Sequence, residues 1–237
     1  MDALMAHRGA ARFTREQLAA IAVPEATESF KPIPHISVVN SLTEALGYRH
    51  ISVVADEFAV SEDGMKFFGV LEIETQFEGC RFLLGVRNAN DKSMRLALTV
   101  GFRILVCDNL AFHGDYTPVL AKHTKHFDLE DAIAIGVDRM QRNFKPMTED
   151  VVRWKSTQIT DEHARLFIYR AFIEEQLEAP KHLARYVHQN YFEPQIPDFT
   201  PRTSFSLHNA FTSAFKQLDP IPLHRATASF GKFFQGN

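Results

Sequence analysis

The stretch FLLGVRNANDKSMRLALTVGFRILVCDNLAFHGD, Phe82–Asp115, decides the fold. Two apolar runs with the character of buried strands flank a polar turn of Asn, Asp, Lys and Ser. Cys80–Arg87 reads as a strand, and Asn90 or Asp91 as the N-cap of a buried helix over Asp91–Val100 carrying Met94, Leu96, Ala97, Leu98 and Val100. Gly101 ends that helix and Phe102–Asp108 continues as a further strand. Arg81, Arg87, Lys92, Arg95 and Arg103 crowd into residues 81–103, opposed only by Asp91. Polar groups set between core strands, with nothing local to pair with, mark the place where a site would be built.

Working outward, Ile51–Val60 is β-branched and runs into Ser61-Glu62-Asp63-Gly64, whose Asp-Gly pair is a hairpin signal. Met65–Thr75 returns with strand period, and Glu78-Gly79 turns the chain again into Cys80–Arg87. A helix over Ser37–Leu46 precedes these strands and stops at Gly47. Downstream, Asp128 caps a helix with Leu129, Ile133, Val137, Met140 and Phe144 on one face, stopped before Pro146. Glu149–Ser156 forms a second helix. Thr160 caps a third whose face is Leu166, Tyr169, Ile173 and Leu177, and Lys181–Tyr191 makes another. Phe205, His208, Phe211, Phe215 and Leu218 form an aromatic stripe, followed by an amphipathic turn with Phe230, Phe233 and Phe234. The fold class is therefore α+β: an antiparallel β-meander of about four strands with helices on one face, then a mostly α-helical C-terminal half. Its expected divisions are an N-terminal arm (1–36), the sheet core (37–127), a helical region (128–192), a Pro-rich linker (193–202) and C-terminal helices (203–237) packing on the core or on a neighbouring subunit.

The 237 residues suffice for one large domain. With 45% apolar and 23% charged residues the composition is that of a folded chain rather than a disordered one. The 21 Phe against one Trp mean that flat rings fill the core. A formal charge of −3 gives no global field for nucleic acid, so any polyanion binding needs a local basic patch. Cys80 and Cys107 are too few for a disulfide scaffold, and Cys107 ends an apolar run where a reduced, buried thiol is expected. No signal-peptide core and no long apolar run are present, so a cytoplasmic protein without membrane contact is expected.

Two constellations carry chemistry. His113, Asp115, His123 and His126, with Asp108, hold the donor types that a transition metal takes, and would make a metal-dependent hydrolase or nuclease. Their spacing matches no metalloenzyme signature, and a surface loop beside Lys122 and Lys125 accounts for the same residues. No nucleophile elbow, phosphate-binding loop or dinucleotide fingerprint occurs, and no cofactor is expected. The basic, amide-rich turn is the stronger candidate: if Asn90 starts a helix, backbone N–H groups converge with Lys92, Ser93 and Arg95 as phosphate requires. Arg87, Asn88, Arg103 and Asn109 would extend that surface. The scaffold alternative pairs the Arg residues with Glu72, Glu74 and Glu78 across the sheet.

The motifs Arg87-Asn88-Ala89-Asn90-Asp91-Lys92-Ser93, Gly101-Phe102-Arg103 and Val106-Cys107-Asp108-Asn109 are joined by Lys122-His123-Thr124-Lys125 and by Arg202-Thr203-Ser204-Phe205-Ser206-Leu207-His208-Asn209-Ala210-Phe211-Thr212. With them the chain resembles a phage- and plasmid-like family known as domain of unknown function 932, from about Phe30 to the C-terminal helix. It departs from the family's pattern at Phe205, where Trp is expected, and at Ala89, where Ser or His is usual. The resemblance brings no established activity; its phage and plasmid setting implies DNA-related or anti-defence work. The meander followed by a helix also looks like the core of phage single-strand annealing proteins, an analogy of fold alone. The reading that results is a non-enzymatic, self-associating protein that binds nucleic acid or another phosphate-bearing partner. A metal-dependent hydrolase and a protein adaptor are the alternatives.

Overall fold

The computed structural model describes residues 12–77, 79–104, 109–112, 119–174 and 176–236. Its centre is one antiparallel sheet in which spatial order follows chain order. The strands are β1 (Arg12–Phe13), β2 (Val53–Val60), β3 (Lys66–Phe77), β4 (Cys80–Ala89), β5 (Leu96–Ile104) and β6 (Asn109–Phe112); β7 (Val119–Ala121) also pairs with β5. The Asp-Gly turn between β2 and β3 forms as its sequence predicts. Gly64 takes φ +72°, and Asp63 Oδ1 accepts hydrogen bonds from the Ser61 hydroxyl (2.5 Å) and the Met65 N–H (3.0 Å).

The helix expected over Asp91–Val100 is not there. Residues 91–95 turn, and β5 pairs with β4 from Arg87↔Ala97 to Cys80↔Ile104. The reason is periodicity: Leu96, Leu98, Val100 and Phe102 alternate with Ala97, Thr99, Gly101 and Arg103, and both sides of the strand find partners in β4 and in β6 and β7. Leu96, Leu98, Val100 and Phe102 fall with Phe82, Leu84 and Val86 into the large core beneath the helices. On the other sheet face, Ala59, Phe68, Val70 and Leu83 make a small apolar cluster of their own.

Two helices lie before the meander, α1 (Arg15–Ala19) and α2 (His35–Gly47), the second where it was expected. The helix capped by Asp128 does not stop before Pro146: α3 runs from Leu129 to Ser156 through the proline. Its buried residues Ile133, Val137, Met140, Met147, Val151 and Trp154 continue one stripe across Pro146, and that burial outweighs the roughly 3 kcal/mol a mid-helix proline costs. Thr160 caps α4 (Asp161–Phe172), accepting from the His163 N–H at 3.2 Å. The face α4 buries is Ala164, Phe167, Ile168, Ala171 and Phe172; of the expected face Leu166, Tyr169 and Ile173 are about half exposed, while Leu177, beyond the helix end, is buried. After α5 (Ala184–Phe192) the C-terminal pair is α6 (Ser204–Phe215) and α7 (Pro220–Gly236). Buried nearly all round, α6 stacks Phe211 on Phe172 (5.6 Å) and on Phe230 (4.6 Å). The C-terminal aromatic stripe thus packs within the chain's own core. Among the described residues no helix is long and apolar enough to cross a membrane.

Candidate functional site

The arm before α2 is what assembles the site. Phe30 bridges Thr124, just beyond β7, and the Lys31 N–H donates to the His123 carbonyl at 3.2 Å. Asn88 and Asn90 hold the next residues. The Asn90 side chain accepts the Ile33 N–H (3.0 Å) and donates to the Ile33 carbonyl (3.1 Å), while Asn88 Nδ2 donates to the same carbonyl (2.8 Å) and to His35 Nδ1 (2.9 Å). His35 Nε2 in turn donates to the Gly64 carbonyl at 3.0 Å, which fixes the tautomer. Burial lowers the pKa of His35 below its ordinary value, consistent with a neutral ring sharing its lone pair with Asn88. The two asparagines, poor strand formers, are therefore buried clamps on the arm rather than open ligands.

Secured this way, the arm lies against the β4–β5 turn and the end of β7, leaving a groove of about 380 Å³ lined by Phe30, Lys92, Ser93, Arg95, Lys122 and His123, with Ser29, Met94 and Thr124. The turn presents its side chains because Lys92 takes a left-handed φ of +66° and Asp91 is occupied within it. Asp91 Oδ1 accepts from the Ser93 N–H (2.9 Å) and hydroxyl (2.5 Å), and its other oxygen meets Lys66 Nζ at 3.3 Å. Lys92, Arg95 and Lys122 are exposed, and among the described residues none of them has a carboxylate partner; Lys92 Nζ sits 5.1 Å from the centre of the Phe30 ring. His123 is different. It is 5% exposed, stacks on Phe30 at 5.5 Å, and neither ring nitrogen has a hydrogen-bond partner. Burial, and secondarily the charge of His35, lower its pKa.

The remaining candidates lie elsewhere. Arg103 is on the opposite sheet face, where its guanidinium and that of Arg81 take the two oxygens of Glu72, a carboxylate 1% exposed; the Arg103 contact is 2.6 Å. This is the cross-sheet pairing of the scaffold alternative. Arg87 shares that face, between Phe68 and Ala97 in register. It is partly buried, its Nε lacks an acceptor, and burial, helped by the charge of Arg225, lowers its proton affinity. Asn109 starts β6 opposite Ile104. The turn's phosphate geometry was tied to a helix start at Asn90, and that helix start does not exist; what converges is Lys92, Ser93 and Arg95 with Lys122. Lys122 was legible only as a neighbour of histidines, because the contact that brings it to the turn runs through the distant arm.

Of the metal candidates, His123 is buried against Phe30 and His126 is exposed, while Asp108, His113 and Asp115 lie outside the described residues. Among the described residues no three His, Cys, Asp or Glu side chains gather as metal ligands would. The groove has fixed cations, hydroxyls and one orphaned imidazole, the complement of an anionic oxygen-rich ligand.

No curated protein and no solved structure matches the chain. A family model does, over residues 25–228, which takes in the end of the arm, strands β2 to β7 and the helices from α2 into the first half of α7. The chain belongs to the family described as a domain of unknown function, DUF932.

Proposed function

We propose that the protein binds a phosphate-bearing ligand, nucleic acid foremost, in the groove between the arm, the β4–β5 turn and the end of β7. One observation carries this reading: Lys92, Arg95 and Lys122 converge on one groove that, among the described residues, no carboxylate lines. Elsewhere on the sheet Arg81 and Arg103 are matched to Glu72 and Arg12 to Glu57, while Arg87, partly buried, stands apart from this groove. Like charges held together without a counterion repel one another, so such a cluster is favoured where a ligand supplies the opposite charge. The proposed role is binding.

The test is equilibrium binding of a labelled single-stranded oligonucleotide, and of its duplex, across a salt series. Three phosphate contacts predict that log K falls against log salt with a slope of about −2 for single strands. Absence of binding to either form at low salt overturns the proposal, because the contacts would be strongest there.

A further inference from the structure

The groove's cations would suffice to hold an anion, yet a buried imidazole lies against it as well. His123 is buried, held in place by its backbone bond to Lys31 and by the Phe30 ring, and left with both nitrogens unmatched. A buried polar group without a partner lowers stability, so its persistence beneath a ligand groove needs a reason. The charged and titratable groups around it are Lys92 and Arg95 from the β4–β5 turn, Lys122 beside it in the chain, and His35 from α2. Burial, and after it the neighbouring His35, disfavour a positive charge on the ring, and among the described residues the groove contains no carboxylate to relieve it. The ring is therefore neutral when the groove is empty.

A dianion in the groove reverses that field. Resting on the reading of the groove as an anion site, we propose that its ligand is a phosphomonoester group and that His123 takes up one proton as it binds. The proton comes from solvent and goes to the ring's lone-pair nitrogen; no bond to phosphorus forms or breaks. The phosphoryl group keeps its two charges, now facing Lys92, Arg95, Lys122 and an imidazolium. A phosphodiester, with a single charge, stabilises the imidazolium less. A phosphomonoester can be the end of a nucleic acid or part of a small molecule, and the chemistry is shared.

Calorimetric titration of the full chain at about pH 7.5, where a phosphomonoester with a second pKa near 6 is mostly dianionic, tests this in buffers of differing ionisation enthalpy. The probes are a trinucleotide with and without a 5′-phosphate, and phenyl phosphate. The 5′-phosphorylated trinucleotide is expected to bind about tenfold tighter than its unphosphorylated twin, a change of roughly 1.4 kcal/mol, with uptake approaching one proton. His123→Gln is expected to abolish the uptake and leave weaker binding. Equal binding of phenyl phosphate would support a small ester as the source; preference for the trinucleotide would support a nucleic-acid end. Equal affinity for both trinucleotides without proton uptake overturns the inference while leaving the groove reading intact, and no binding of any probe at low salt overturns both. Should the variant fail to fold, the His123 ring resonances of the unaltered protein decide: ligand must raise their titration midpoint, and an unchanged midpoint contradicts the proposal.

Discussion

The sheet carries two clusters of basic side chains that look alike in sequence and differ in what surrounds them. On one face Arg81 and Arg103 share the two oxygens of the buried Glu72; at the sheet's end Lys92, Arg95 and Lys122 share a groove that, among the described residues, holds no acid. The first arrangement is closed. Both guanidinium groups are held by one buried carboxylate, and the consequence is cohesion between β3, β4 and β5. The second is open, and its consequence falls on whatever enters. The difference shows that a count of arginines and lysines along a strand says little about binding until the location of the carboxylates is known.

The sharpest way to break this comparison is to remove the acid from the closed cluster. Glu72→Gln leaves two partly buried guanidinium groups facing each other, and destabilisation on the order of 3 kcal/mol is expected in urea unfolding. Loss of less than about 0.5 kcal/mol would mean that the pair is no scaffold at all. Next in size, Asn90→Ala strips the Ile33 N–H of its partner, leaves the Ile33 carbonyl to Asn88 alone and should cost about 1–3 kcal/mol, with oligonucleotide affinity falling as the arm loosens. A variant that loses neither stability nor affinity would detach the arm from the site.

Acidity gives a further handle. His35 is buried, and its pKa in the folded protein lies below the ordinary value near 6.5 that it regains on unfolding. The unfolded chain therefore binds more protons as pH falls through about 6.5, and stability, full above that pH, declines toward the lower folded pKa. His123 acts in the same direction. Urea midpoints should fall between about pH 7.5 and 5, and fall less in His35→Asn, because that variant has one fewer group to titrate. A profile flat in the parent protein would contradict the neutral His35 that donates to Gly64 and accepts from Asn88. Smallest of all, Lys122→Ala should leave stability within about 0.5 kcal/mol while weakening oligonucleotide binding and reducing its salt slope by less than one.

Much of this architecture was legible in the residues. The Asp-Gly hairpin, the meander and the helical second half follow from turn chemistry and from apolar periods of two and about four. The Leu96–Phe102 segment misleads because a short apolar run fits helix and strand alike, and only pairing on both of its edges decides. Pro146 misleads because local breaking power is read without the buried stripe that continues past it. At the site, Lys92, Ser93 and Arg95 could be found from composition, and the oddity of Asn88 and Asn90 on a strand pointed to some local role. That their role is to clamp Ile33, and that Lys122 and His123 come to the same groove, depends on contacts between residues far apart in the chain, which no local pattern encodes.

The central claim is that open cations bind and closed ones support. Oligonucleotide affinity at low salt, measured for Lys92→Glu/Arg95→Glu beside an equal charge reversal remote from the groove, Lys145→Glu/Arg185→Glu, tests it most directly. The groove variant is predicted to lose binding while unfolding at the parent's urea concentration, and the remote variant to bind nearly as the parent does. Equal losses in the two variants, or undiminished binding in the first, would contradict the account.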